Sequence, residues 1–200
     1  MRRMIIMAAI ALSLLAGTAM AESINGRLGL TGKAGFVVPL ADSTINGSTF
    51  WLSDVGFAGG GGLMYGIGDY LALEADVTHV PSLDVKMGSG TKVAEAQFTD
   101  FSLGLQFRIL PGISLVPYIG GGADVIKGDI DGSALDWTYG GHVNGGVDYF
   151  INKSIALNLE SRGIFAVKSD IKQNGVTVGK FDPMNVVTTF GVRLFLPEKW

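Results

Sequence analysis

Residues 151–167 read "INKSIALNLESRGIFAV". From Ile155 the apolar residues take every second position: Ile155, Leu157 and Leu159, continued by Gly163, Phe165 and Val167. Asn158, Glu160 and Arg162 take the alternate positions. A period of two is the signature of a strand, and the length of the run, 155–167, says what kind. Strands of soluble proteins usually have about five or six residues. A tilted strand that crosses a bilayer needs about 9–11 and often extends beyond it.

The same alternation recurs along the chain. Leu28, Leu30, Ala34, Phe36 and Val38 oppose Arg27, Thr31 and Lys33; Leu71, Leu73, Ala75 and Val77 oppose Glu74, Asp76 and Thr78. Phe101, Leu103, Leu105, Phe107 and Ile109 oppose Ser102, Gly104, Gln106 and Arg108. Trp137, Tyr139, Val143, Val147 and Tyr149 oppose His142, Asn144 and Asp148, and Phe190, Val192, Leu194 and Leu196 oppose Thr189, Gly191 and Arg193. With two less regular segments, the pattern predicts eight strands near 26–39, 54–65, 70–80, 93–109, 115–127, 137–149, 155–167 and 185–196. Short connectors ("GIGD", "LPGIS", "FINKS") alternate with long polar ones ("LADSTINGSTFWLS", Pro81–Thr91, "GDIDGSALD", "KSDIKQNGVTVGKFDP"). That rhythm fits a barrel with one rim at the periplasm and the other at the exterior, both chain ends lying at the short-turn rim.

Composition points the same way. The chain has 200 residues, 30 of them glycine, no cysteine and 16% charged residues. Without cysteine there is neither a disulfide scaffold nor a thiolate metal site. Arg2 and Arg3, the apolar run "MIIMAAIALSLLAG" and the small-x-small triplet Ala19-Met20-Ala21 read as a secretory signal over 1–21, leaving a barrel domain over 22–200. Removal of that signal takes the formal net charge from −3 to −5. With no basic stripe, nucleic acid is disfavoured as a partner. The expectation is an all-β, eight-stranded antiparallel transmembrane β-barrel in a Gram-negative outer membrane, its wall partnered by outer-membrane lipid. Tyr65, Tyr70, Trp137, Tyr139 and Tyr149, with Trp51, Tyr118 and Trp200, sit near strand ends, where interfacial girdles form. A secreted soluble sandwich or lipocalin-like barrel is the competing fold.

The less apolar face carries five cations and five anions: Arg27, Lys33, Arg108, Arg162 and Arg193 against Glu74, Asp76, Asp124, Asp148 and Glu160. Buried charges need partners, so these ten are expected to form a charge network in the lumen. An eight-stranded interior is only wide enough for side chains, which makes a broad porin improbable. In "VPYIGGGADVIKG", 116–128, the glycine triplet invites comparison with a phosphate loop. The Lys127-Gly128 order is reversed for that, and no helix follows. Parity places Tyr118, Gly120, Gly122 and Asp124 on the lumen face, where Gly120 and Gly122 make room for bulkier groups such as Arg108 or Arg162.

Four stretches carry a resemblance to the OmpW family of small outer-membrane barrels: "GRLGLTGKAGFVVP", "YGIGDYLALEADVTH", "PYIGGGADV" and "GGHVNGGVDYFINKSIALNLESRG". The resemblance implies a narrow hydrophobic channel or pocket, open toward the exterior, that passes or binds small hydrophobic molecules, with a lateral opening in the wall. A pocket of that kind needs apolar residues on the lumen face of the exterior half, and Val37, Phe98, Ile126 and Ile164 meet the condition. The chain departs from the family at its end, where "PEKW" follows the last strand, so the barrel assembly machinery is expected to read Phe195 or the whole segment. Two other functions stay open: a structural or adhesive barrel without transport, and an outer-membrane lipid hydrolase, for which Ser102 and His142 could meet only across strands. No catalytic residues, cofactor or metal are assigned; His79 and His142 lack the spacing of a metal pair.

Overall fold

A computed structural model describes residues 23–41, 43–45, 48–52, 55–87, 90–131, 133–173 and 176–196. The segment 1–21, expected to be a signal, and the terminal "PEKW" with Trp200 as its last residue fall outside these residues, as does the side chain of Trp51. The strands are β1 (Leu28–Pro39), β2 (Ser43–Ile45), β3 (Ser48–Leu52), β4 (Gly56–Gly66), β5 (Leu71–Met87), β6 (Thr91–Arg108), β7 (Leu115–Ile130), β8 (Ser133–Ala134), β9 (Thr138–Phe150), β10 (Ile155–Ala166), β11 (Ser169–Gln173), β12 (Val176–Phe181) and β13 (Asn185–Phe195).

Eight of them close a barrel in the antiparallel order β1-β4-β5-β6-β7-β9-β10-β13, with β13 returning to β1. Closure gives every wall strand two partners and removes the sheet edge, as a lipid environment demands. The alternation fixes which face points where, because a one-residue slip would invert every side chain. Leu30, Phe36, Phe57, Leu103, Ile119, Leu159 and Phe190 point outward, 50–62% exposed, while Arg193, Arg162, Arg108 and Asp148 point inward and are buried. Burial thus supplies the direction that periodicity alone leaves open: the apolar face is outside.

The long connectors are where the fold departs from the sequence reading. Expected as loops, they form strands. β5 runs past Pro81 by slipping register between Val80 and Leu83. The bulge moves the inward positions from even to odd numbers, so Leu83 and Val85 follow Thr78 and Val80 into the interior. The β2–β3 hairpin pairs with β5 through β3 and with β12 through β2. β12 pairs with β11, β8 pairs with β7, and a bridge between Leu135 and Ile171 joins the two ends. The result is a second ring, β5-β6-β7-β8-β11-β12-β2-β3, stacked on the first at the long-connector end.

Candidate functional site

The interior is stratified. At the short-turn rim Ile24, Met64, Ala72, Val116, Phe150, Ala156 and Phe195 form an apolar floor. At the opposite end Val37, Phe50, Leu52, Ala58, Val80, Leu83, Val85, Ala96, Phe98, Ile126, Ile130, Leu135, Ile164, Ile171, Phe181 and Val187 form an apolar upper chamber, enclosed by the second ring. The charged residues lie between.

Asp148, fully buried, anchors the charged stratum. It accepts from Arg108 Nη1 at 2.8 Å, Arg193 Nη1 at 2.9 Å and Asn158 Nδ2 at 2.8 Å. Arg193 also donates through Nη2 to Glu74 at 2.9 Å and through Nε to Thr31 at 3.0 Å. Glu160 accepts from the Tyr118 hydroxyl at 3.0 Å and from Asn144 Nδ2 at 2.9 Å, and pairs with Arg162 at 3.1 Å and Lys33 at 3.6 Å. Asp76 takes Arg162 Nη2 at 2.6 Å and Lys33 at 3.2 Å. Arg162 Nη1 crosses the lumen from β10 to Ser102 on β6, at 2.7 Å. These charge-assisted bonds tie β1, β5, β6, β7, β9, β10 and β13 together through the middle of the barrel.

The structure sorts the sequence candidates. Lys33, Glu74, Asp76, Arg108, Asp148, Glu160, Arg162 and Arg193 come together in this lattice. Asp124 is inward but one level up, against His142 Nδ1 at 2.8 Å. Arg27 sits at the rim instead, where it donates to the carbonyls of Lys153, Phe195 and Leu196 and lies 5.5 Å from the Phe195 ring. Its position one residue before β1 puts it at the rim rather than in the middle stratum. Tyr118, expected also in a girdle, is a lumen residue, whereas Tyr65, Tyr70, Trp137 and Tyr139 face outward.

Gly120 and Gly122 do make room, but for different neighbours than expected. A Cβ on Gly120 would meet Asn144 Oδ1 at 2.5 Å, and one on Gly122 would meet the Leu103 carbonyl at 2.2 Å and His142 at 2.8 Å. The space goes to the adjacent strands β6 and β9 because wall curvature brings cross-strand neighbours closer than residues across the barrel. β4 does the same for the charges: a Cβ on Gly62 would fall 2.0 Å from Asp76 Oδ1. Gly62 was not singled out in the sequence, although the run "GGGG" at 59–62 carried the signal. Asp100 was also missed, despite sharing the parity of Ser102 and Gln106.

Val37, Phe98, Ile126 and Ile164 all lie in the upper chamber. Beside it the wall has a seam. β10 pairs with β13 up to Ile164 opposite Asn185 and no further in that direction. Beyond this point β10 stays with β9, through Val167 N to the Tyr139 carbonyl, while Met184 stays with β1, its carbonyl accepting from Leu40 N. A groove of about 350 Å³ opens there, lined by Tyr139, Gly140, Phe165, Ala166, Val167, Asp182 and Met184. Ala166 packs directly on the chamber, and a Lys168–Asp182 ion pair of 3.3 Å spans the seam.

Ser102 and His142 do not form a nucleophile pair. The Ser102 hydroxyl accepts from Arg162, and His142 Nε2 points to within 3.1 Å of the place a Gly104 Cβ would take. Among the described residues no three His, Cys, Asp or Glu side chains converge as a metal site.

An apolar exterior, a closed eight-stranded wall and a charged interior find their match in one family, the outer membrane protein beta-barrel domain, over residues 7–180. The chain belongs to that family. It is an outer-membrane barrel. Its fold is similar to the crystal structure of outer membrane protein OprG from Pseudomonas aeruginosa, at 19% identity, covering 88% of this chain and 97% of that one, with a TM-score of 0.60. Neisserial surface protein A is similar at 16% identity, 86% and 98% coverage and a TM-score of 0.59. Outer membrane protein AlkL in DMPC bilayers is similar at 16% identity, 90% and 92% coverage and a TM-score of 0.56. No curated protein sequence matches the chain.

Proposed function

We propose that this outer-membrane barrel takes small hydrophobic molecules into its upper chamber through the seam between β10 and β13, as its OmpW-like stretches imply. The observation that carries the reading is the groove at the seam. It is of a size to hold a small ligand, its walls are Tyr139, Phe165, Val167 and Met184, and Ala166 in its lining touches the chamber. The charged stratum below makes a vertical route unfavourable for an apolar solute. A cavity of only about 10 Å³ lies at the boundary, between Lys33, Thr78, Glu160, Arg162, Ile164, Val187 and Thr189. That is barely the room one water needs. The route this geometry favours is therefore lateral.

The test is photolabelling of the refolded chain in lipid with a diazirine-bearing alkane, followed by peptide mapping. Adducts at Ile164, Phe98 or Ala166 are expected. Adducts confined to the lipid-facing Phe36, Leu103 and Phe190 would count against uptake. A second reading, a structural or adhesive barrel, draws support from the close packing of the chamber, whose side chains are at most 7% exposed. The second ring would then serve as a rigid external platform.

A further inference from the structure

We infer that the floor of the upper chamber is a receptor for a cationic head group, with Asp100 as its principal acceptor, so that the preferred occupant is an apolar chain ending in a primary ammonium. The inference rests on the reading of the chamber as a place for hydrophobic molecules. Asp100 is 1% exposed, and neither of its carboxylate oxygens has a hydrogen-bond partner. Asp124, also 1% exposed, leaves Oδ2 unpartnered. Unsatisfied buried carboxylate oxygens are expensive, and each further hydrogen bond to a charged donor relieves that penalty.

The position of Asp100 is what makes a ligand the natural donor. In the register it sits between Thr78 on β5 and Ile126 on β7, and the next inward residue toward the second ring is Phe98. Phe98 and Ile126 belong to the chamber, so the carboxylate lies where the polar stratum ends and the apolar one begins. The charged groups facing it are Asp124, Arg162, His142 and Lys33. The basic side chains among them are directed elsewhere: Arg162 to Ser102, Asp76 and Glu160, Lys33 to Asp76 and Glu160, and the His142 ring to Asp124. Across the stratum, the carboxyl groups of Glu74, Asp76, Asp100, Asp124, Asp148 and Glu160 outnumber the basic side chains of Lys33, Arg108, Arg162 and Arg193. A carboxylate-headed chain would meet repulsion there, an alcohol would donate a single hydrogen bond and bring no charge, and an ammonium supplies both charge and three donors.

The experiment measures equilibrium binding of decylamine, decanol and decanoate to the full chain refolded in zwitterionic nanodiscs, with empty nanodiscs subtracted. Decylamine is expected to bind about tenfold or more tighter than decanol, the step corresponding to one charge-assisted bond, with decanoate weakest. Asp100→Asn should bring decylamine down to the decanol level and leave decanol unchanged. Equal binding of decylamine and decanol, or an undiminished amine preference in Asp100→Asn, overturns this inference alone. Absence of binding by all three probes overturns the chamber reading and this inference with it. Should Asp100→Asn not refold, crosslinking of a diazirine-tagged decylamine decides: an adduct at Phe98 or Ile126 supports the site, and adducts only on the outer wall overturn it.

Discussion

The middle stratum and the upper chamber are built from the same eight strands, yet they are specified by different physics. In the middle, geometry is fixed by pairs. Asp148 serves two guanidiniums and an amide at once, and Arg162 joins β10 to β5 and β6. In the chamber no directional bond selects the arrangement, and volume alone does so. A lattice of buried pairs fails sharply when one member is removed. A packed apolar region yields gradually and can exchange its own side chains for a guest. The contrast explains why one part closes the lumen and why the proposed function assigns uptake to the other.

Substitutions in the two regions should differ accordingly. The largest effect is expected from Asp148→Ala, which strands Arg108 and Arg193. It should cost about 3–5 kcal/mol in denaturant unfolding of the refolded barrel, and a near-neutral result would remove the pairing argument. Ile164→Ala should cost about 2–5 kcal/mol, with part of the loss recovered when decane is added. No recovery would make the chamber an ordinary core. Gly122→Ala drives a methyl toward the Leu103 carbonyl, 2.2 Å away, and the Gly104 Cα, 2.5 Å away. It should cost about 1–3 kcal/mol, read from the same unfolding curves.

The smallest effect is expected outside both regions, at the tip of the β5–β6 hairpin. There Lys92 pairs with Asp84 at 2.8 Å and with Glu95. The hydrogen bond from Lys92 holds the Glu95 carboxyl below its usual range, and the paired carboxylates in turn push the ammonium up. A lowered carboxyl favours the folded hairpin above the ordinary carboxylate range and loses that contribution as pH falls through its own titration. Since these groups are exposed, Lys92→Gln should leave the unfolding midpoint of the barrel where it was, and should not alter how that midpoint responds to acid. A clear shift would mean that the hairpin tip supports the wall.

Much of this was legible in the sequence because a wall between lipid and lumen imposes a strict period of two. The strand from Ile155 and the strand ending at Phe195 show it over their whole length, and parity alone placed Arg162, Arg193, Asp148 and Glu160 on one and the same face. Parity together with nearness to the long connectors placed Val37, Phe98, Ile126 and Ile164 on the lumen face of the exterior half. The second ring was not legible. The strands that it adds, β2, β3, β8, β11 and β12, are short and mostly polar, and Pro81 reads as a strand end when it marks a bulge after which the parity reverses. The apolar pairs Phe50 with Leu52 and Leu83 with Val85 were the available signal. Parity also says nothing of height along the barrel axis, which is why Arg27 could be grouped with the lattice while it caps the rim. The neighbour that fills the space at Gly122 depends on wall curvature, and a single strand's sequence does not encode that.

In the proposed function the chamber is open to apolar molecules from the wall and closed to water from either end. Because the chain has no cysteine, Ile164→Cys introduces a single thiol at the chamber wall beside the charged stratum. Its labelling in the folded, membrane-embedded protein can be followed with an apolar alkyl maleimide and with a charged sulfonate thiol reagent. Reaction with the first and protection from the second are expected. Protection from both until the barrel unfolds, or equal reaction with both, would contradict the proposed function.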